Sequence, residues 1–149
     1  MRITHVEGAV VAGDADAAQV SASAAALEAC VVRVRIVVSR ARQNPTALET
    51  IHVASPDLRA GTLAALAVCE APALAVVAAG TPLAPSGILE LIAGMPARRG
   101  PRAVVRSRAG EILTEAVIWR ADAEPPSDSL SAALREEGVL RVASACAPE

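Results

Sequence analysis

Three short stretches of the chain combine glycine, hydroxyl and charged residues in ways that could handle a phosphate or a nucleobase. The first is Gly13-Asp14, which closes the apolar run Gly8 to Ala12 (GAVVA). A glycine at that place lets backbone N–H groups approach a phosphate at the N-terminus of a following helix. The sequence carries no G-x-G-x-x-G and no G-x-x-x-x-G-K-[ST], and Asp14 and Asp16 would repel an anion, so a turn followed by a helix cap accounts for the same residues. The second stretch is Ser55 to Thr62 (SPDLRAGT), which is polar between apolar segments. Asp57 there could read a base edge and Arg59 could hold a phosphate; equally, Asp57 could bond local backbone in an ordinary capped loop. The third is Gly80-Thr81-Pro82, which breaks the apolar run Ala73 to Ala79 (ALAVVAA). Metal-dependent nucleotidyl transfer needs a carboxylate at such a place, because Mg²⁺ bridges phosphate oxygens through one or two acids. The nearest acid downstream is Glu90, inside a helical segment.

Other reactive types are scattered. His5 and His52 stand far apart, and no G-x-S-x-G elbow is present; Ser86-Gly87 follows Pro85 at a helix start, the wrong context for a nucleophile. Arg98, Arg99 and Arg102 form a small basic cluster that reads as a solvated loop, and Glu111, Glu115, Asp122 and Glu124 share no spacing. Cys30, Cys69 and Cys146 lack metal-ligand spacing and sit among apolar residues, as small buried hydrophobes do. All of the 14 basic residues are arginine. Lysine Schiff bases, lysine general bases and lysine phosphate clamps are therefore excluded.

The elements that must position these residues alternate between β-branched runs and Ala/Leu-rich segments. Strands are expected at 8–12, 31–39, 50–54, 73–79, 102–106, 112–120 and 139–144, and helices at 14–30, 62–70, 85–95 and 127–137. Asp14 or Asp16 caps the first helix, Pro85 opens the third, and Ser127 or Asp128 caps the last. In the second strand Arg33 and Arg35 alternate with valine, which predicts an exposed side for its first half. The run Ala73 to Ala79 has the pattern of a strand buried on both faces. Strand and helix in this rhythm imply βαβ units, a mostly parallel sheet and helices on both faces. Ligands of such sheets sit beyond the carboxyl ends of the strands, here Gly13-Asp14, 54–61 and 79–82.

The length of 149 residues fits one domain spanning 1–149, and 53% apolar residues with a mean hydropathy of +0.42 describe a folded chain. With no Phe, no Tyr and one Trp, the core must be built from small aliphatic side chains. A net charge of −2 and a pI of about 5.7 argue against a nucleic-acid-binding surface. No apolar stretch is long enough to span a membrane and no signal peptide is visible, so a cytoplasmic location is expected, in keeping with the odd number of cysteines.

The segment Ser55 to Leu66 (SPDLRAGTLAAL) resembles the glycine-aspartate-x-arginine-x-x-serine-valine loop and helix of methylerythritol-phosphate cytidylyltransferases. The following Ala73 to Leu91 (ALAVVAAGTPLAPSGILEL) is similar to their next strand, loop and helix, and equally to that region of molybdenum-cofactor guanylyltransferases. Arg102 to Arg106, Glu111 to Trp119 and Leu140 to Pro148 follow in the family's order, so the resemblance covers nearly the whole chain. It implies an α/β, three-layer, Rossmann-like, mostly parallel sheet with helices on both faces, of the nucleotide-diphospho-sugar-transferase type. It also implies a nucleotide site: Gly13 falls at the end of the family's first-loop start, Asp57 on its cytosine-contacting aspartate, Arg59 on its arginine and Thr62 on its serine. Arg135 takes the place of a substrate-phosphate arginine. The implied partners are a cytidine nucleotide and a second copy of the chain, in a homodimer built around Ile112 to Arg120 with Trp119.

The departures lie in the catalytic groups. The family's first loop continues through further glycines, an arginine and a proline-lysine pair; here it is shortened and holds Asp14 and Asp16. The metal-handling aspartate has no counterpart near Gly80. Phosphoryl-type transfer depends on positioning and charge neutralisation, and each missing group is worth roughly 10²–10³ in rate. The expectation is a degenerate cytidylyltransferase-like protein with no catalytic residue and no cofactor, which binds a nucleotide or serves regulation or assembly. The alternatives are an active enzyme with Mg²⁺ and arginines in place of lysines, and a structural homo-oligomeric subunit.

Overall fold

The computed structural model describes residues 2–55, 57–96, 100–122, 129–135 and 138–143. Runs of valine and alanine form the centre of a sheet: β1 (Val6–Val11), β2 (Val34–Ser39) and β4 (Ala73–Ala78) are buried almost throughout, as strands covered on both faces must be. The remaining strands are β3 (Glu49–Val53), β5 (Ala103–Arg108), β6 (Glu111–Arg120) and β7 (Val139–Ala143), and the helices are α1 (Ala17–Glu28), α2 (Leu58–Val68), α3 (Pro85–Ala93) and α4 (Leu130–Ala133).

These strands make one seven-stranded sheet in the order β3-β2-β1-β4-β6-β5-β7. All neighbours pair in parallel except β6, which runs antiparallel between β4 and β5. The β1–β4 register runs from Val6↔Ala73 to Val11↔Ala78 and sets the middle of the sheet. Alternate residues feed two apolar clusters, one on each face. One face gathers Val6, Val10, Ile36 and Ile118 beneath Val20, Ala24 and Leu27 of α1 and Ile88, Leu91 and Ile92 of α3. The other gathers Val11, Val37, Val76 and Trp119 beneath Ala65 of α2 and Ala133 of α4, with Leu134 just beyond α4. Small side chains allow close layers. Gly61 of α2 lies so near β1 that a Cβ there would stand 2.8 Å from a methyl of Val11.

Several expectations need correction. The second strand begins at Val34 rather than Val31, and Arg35 is not on an exposed side: it is 3% exposed. Its Nη1 donates to Glu7 of β1 at 2.5 Å and its Nε to Glu49 of β3 at 2.8 Å, and Glu7 also accepts the Glu70 amide at 3.2 Å. Arg33, on the exposed side, bonds Glu70 at 2.8 Å. A buried charge in a strand demands such partners, and here neighbouring strands supply them at the amino-terminal edge. The second helix begins at Leu58, four residues before the expected start, because Asp57 caps it. Arg59 is thus a helical residue rather than a loop residue, and Thr62 lies in the second turn of the helix instead of at its start.

Trp119 is 4% exposed within the second cluster, and β6 is an interior strand. Residues 116–119 of β6 are buried beneath the chain's own helices, while 111–115 are exposed or half-buried. Cys30 is buried and Cys69 partly so, and burial pushes both thiols up. Ser129, not an earlier residue, caps α4. Ser127, Asp128, Glu124, Arg98, Arg99 and Cys146 lie outside the described residues. No helix among the described residues is long and apolar enough to cross a membrane.

Candidate functional site

The sheet order reverses between β1 and β4: β1 continues outward to β2, while β4 leads to the opposite side. In open α/β sheets the crevice outside the carboxyl ends at such a reversal is where ligands bind. Two connections flank it, 12–16 after β1 and 79–84 after β4.

The first connection turns at Gly13, whose φ of +55° is in the left-handed region that glycine adopts freely. Asp16 then caps α1 reciprocally: its Oδ1 accepts the Gln19 N–H at 2.9 Å, and Gln19 Oε1 accepts the Asp16 N–H at 3.0 Å. The Ala15 N–H is taken by the Ala12 carbonyl at 3.0 Å. Arg42 reaches in from the β2–β3 connection and donates to the carbonyls of Gly13, at 2.8 Å, and of Ala15. A carboxylate therefore stands where a phosphate would meet the helix N-terminus, and a guanidinium holds the loop from its carbonyl side.

The second connection is tied to α1 and to itself. The Gly80 N–H donates to Ser23 Oγ at 3.2 Å, and the Thr81 hydroxyl donates to the Ala78 carbonyl at 2.6 Å. A cleft of about 320 Å³ remains between α1 and this loop, lined by Gln19, Ala22, Ser23 and residues 80–83. Every lining residue is neutral.

At the same edge, Asp57 begins α2. Its Oδ2 accepts the Ser55 hydroxyl at 2.6 Å and its Oδ1 accepts the Ala60 N–H at 2.6 Å. The Ser55 hydrogen bond first, then the Ala60 amide and the charge of Arg59, hold this carboxyl below its usual range. Thr62 is 1% exposed, and its hydroxyl donates to the Leu58 carbonyl at 2.8 Å one turn back. Arg59 lies in the first turn of α2, partly buried. Gly13, Asp57, Arg59 and Thr62 thus share the carboxyl edge, with the polar groups of Asp57 and Thr62 engaged inside α2.

Arg135 does not join them. It is exposed just beyond α4, four residues before β7 begins. β6 ends and the parallel strand β7 begins at the amino-terminal edge, opposite Gly13. Four residues of chain span at most about 14 Å, so Arg135 stays near the amino-terminal edge where Val139 begins β7. The expected substrate-phosphate role is therefore not supported by its position.

Two features were missed from sequence. The Glu7–Arg35 pair had a signal, since a charge inside VEGAVV and another inside VRIVVS must each find a partner if those strands are central. The Arg42 clasp had none, because its acceptors are backbone carbonyls 27 and 29 residues away.

No protein-family model matches the chain, and no curated protein sequence matches it. Solved structures do share its fold. The crystal structure of Rv0371c from Mycobacterium tuberculosis H37Rv aligns with a TM-score of 0.64 at 14% identity, over 99% of this chain and 92% of that one. An Rv0371c homolog from Mycobacterium sp. strain JC1 aligns with a TM-score of 0.64 at 16% identity, over 94% and 86%. The structure of Rv0371c in complex with manganese aligns with a TM-score of 0.69 at 15% identity, over 97% and 91%. At these identities the likeness concerns the α/β fold with its mostly parallel seven-stranded sheet.

Proposed function

We propose that the chain is a degenerate cytidylyltransferase-like domain, of the three-layer nucleotide-diphospho-sugar-transferase type, that binds a cytidine nucleotide weakly and does not transfer it at a useful rate. The nucleotide contacts in this reading are Gly13, Asp57, Arg59 and Thr62, and the protein acts in the cytoplasm as a binding, regulatory or assembly partner, as a homodimer. The reversal between β1 and β4 and the helices on both faces support the fold type.

One observation carries the catalytic part: the cleft at the reversal is lined only by neutral residues. Nucleotidyl transfer concentrates negative charge on phosphate oxygens, and its catalysis consists largely of neutralising that charge. A neutral cleft beside the Asp16 carboxylate does the opposite.

A divalent ion would supply the missing charge if the residues could hold one. Among the described residues no three His, Cys, Asp or Glu side chains gather for this. Asp16 and Asp57, the two acids best placed, both act as helix caps. The described residues thus offer no donor cluster for a resident metal, and the manganese complex is that of a structural neighbour.

Calorimetric titration with CTP, CDP and CMP, alongside pyrophosphate release from CTP and methylerythritol phosphate, tests the reading. The expected result is millimolar binding without turnover. Absence of heat at millimolar nucleotide removes the binding role. Sustained pyrophosphate release overturns the degenerate reading in favour of an active enzyme that uses arginines and Mg²⁺.

A further inference from the structure

A second cleft opens at the same edge of the sheet, two strands away from the reversal. The connection from β2 to β3 contains no helix, so α1 covers the inner strands and leaves one face of β3 bare. Thr50 and His52 pair in parallel with Ile36 and Val38, which places all four on the α1 face. The connection folds back beside this bare face and leaves an open cleft of about 530 Å³.

The wall of this cavity is rigidly built. Asn44 Nδ2 donates to the Leu48 carbonyl at 2.8 Å and to Thr50 Oγ1 at 2.9 Å, while its Oδ1 accepts the Thr46 N–H at 2.8 Å and the Thr46 hydroxyl at 2.7 Å. The Arg40 amide donates to the Val53 carbonyl at 3.0 Å, and the Arg42 amide to Ser39 at 3.0 Å. Arg42 is anchored further by its bonds to the Gly13 and Ala15 carbonyls.

The charge of the cavity is one-sided. Its lining holds Arg40, Arg42 and His52 and no carboxylate. Several other arginines meet acids: Arg33 and Arg35 bond Glu49 and Glu70, Arg35 bonds Glu7, and Arg120 bonds Asp122. Arg42 instead donates to the Gly13 and Ala15 carbonyls and bonds no carboxylate among the described residues. Arg40 is exposed and no carboxylate among the described residues approaches it. On a chain of net charge −2 this is a local positive basin.

We infer that this cleft is a binding site for a small phosphate-bearing anion, held chiefly by the Arg40 guanidinium with Arg42 and His52 beside it. The guanidinium fork matches the oxygens of a phosphate group. A lining this polar suits a compact, strongly hydrated ligand rather than an apolar one, and its volume is in the range of small-ligand sites. The inference is independent of the nucleotide reading, since none of Gly13, Asp57, Arg59 or Thr62 lines the cavity.

The test is calorimetric titration of the whole chain with inorganic pyrophosphate and with inorganic phosphate at physiological salt, with cytidine as an uncharged control. Three variants are compared: Arg40→Gln, His52→Gln and Arg135→Gln, the last an exposed arginine at the opposite edge. The expected result is saturable pyrophosphate binding, weakened roughly tenfold or more by Arg40→Gln, the weight of lost charge-assisted hydrogen bonds. His52→Gln should weaken it less, Arg135→Gln should leave it unchanged, and far-ultraviolet circular dichroism should show all three folded. No saturable binding at millimolar pyrophosphate, or equal weakening by Arg40→Gln and Arg135→Gln, overturns the inference.

Discussion

Neutralising Glu7 offers the most direct test of how this fold tolerates charge in its sheet. Glu7 is 6% and Arg35 is 3% exposed, and their side chains meet at 2.5 Å. Removing one member of a buried pair leaves the other uncompensated, at a cost of about 3–5 kcal/mol. In Glu7→Gln the loss is softened, because Arg35 keeps Glu49 at 2.8 Å and Glu70 within 3.8 Å. The glutamine oxygen can also still accept the Glu70 amide, so about 2–3 kcal/mol is expected. Arg35→Met leaves the Glu7 carboxylate buried with that amide and the Cys69 thiol but no cation, and should cost about 3–5 kcal/mol. Glu7→Leu combined with Arg35→Met removes both charges together, and should cost about 1 kcal/mol or less. Equilibrium urea unfolding followed by far-ultraviolet circular dichroism measures each value, with an unchanged slope confirming that the midpoint shift reports stability. Two single variants each costing under about 0.5 kcal/mol, or a double variant costing their full sum, would show that the pair is not coupled in a dry setting.

Acid should destabilise the fold through the same edge. The Glu49 carboxyl lies below its usual 4.5, chiefly through the Arg35 hydrogen bond. A lowered folded value means that its contribution is present in full above about 4.5 and is lost as pH falls through the folded value. Asp57 and Asp122 act in the same direction from 3.8. Unfolding free energy should therefore hold steady down to about pH 4.5 and then decline, and Glu49→Gln should flatten the first part of that decline; constant stability down to pH 3 contradicts the sign. Gly61→Ala places a methyl group 2.8 and 2.9 Å from the two Val11 methyl carbons, and should cost about 1–3 kcal/mol as overpacking. An unchanged melting temperature in a thermal scan would mean that α2 rides more loosely on β1 than the structure shows.

The sequence was legible where a signal is local. Alanine and valine runs mark strands at 73–79 and 8–12, observed at 73–78 and 6–11, Asp14 or Asp16 announces α1, with Asp16 the cap observed, and Pro85 opens α3, because each depends on a few adjacent residues. The start of α2 was misplaced, because Ser55 to Gly61 is rich in loop formers; the decisive contact is Asp57 with the Ala60 amide, three residues on. The burial of Arg35 depends on strands β1 and β3 lying on either side of β2, a pairing between distant segments. The site was legible to the same degree. Gly13 and Asp57 do fall at strand ends on one edge, as alternation of strand and helix requires. Arg135 could not be placed, because its edge depends on the direction of β6, and nothing in Glu111 to Arg120 encodes that direction locally.

Charge is distributed over the two edges of the sheet in a way that separates anion binding from nucleotidyl transfer. At the amino edge Arg33 and Arg35 are matched by Glu7, Glu49 and Glu70. At the carboxyl edge the cleft at the reversal between β1 and β4 is lined by neutral residues beside a capping carboxylate, while Arg40 and Arg42, which bond no carboxylate among the described residues, sit around β3. Neighbouring strands are about 4.8 Å apart, so a phosphate held over β3 lies about 10 Å from one held over β1. Transfer requires the attacking and leaving oxygens in line within about 3–3.5 Å of the reacting phosphorus. A phosphate attracted to the Arg40 side is thus drawn away from the crevice where a second substrate would meet it. On the proposed reading, in which a phosphate is held over β3, binding persists on this surface while transfer fails, because the bound phosphate and the crevice are separated by two strands.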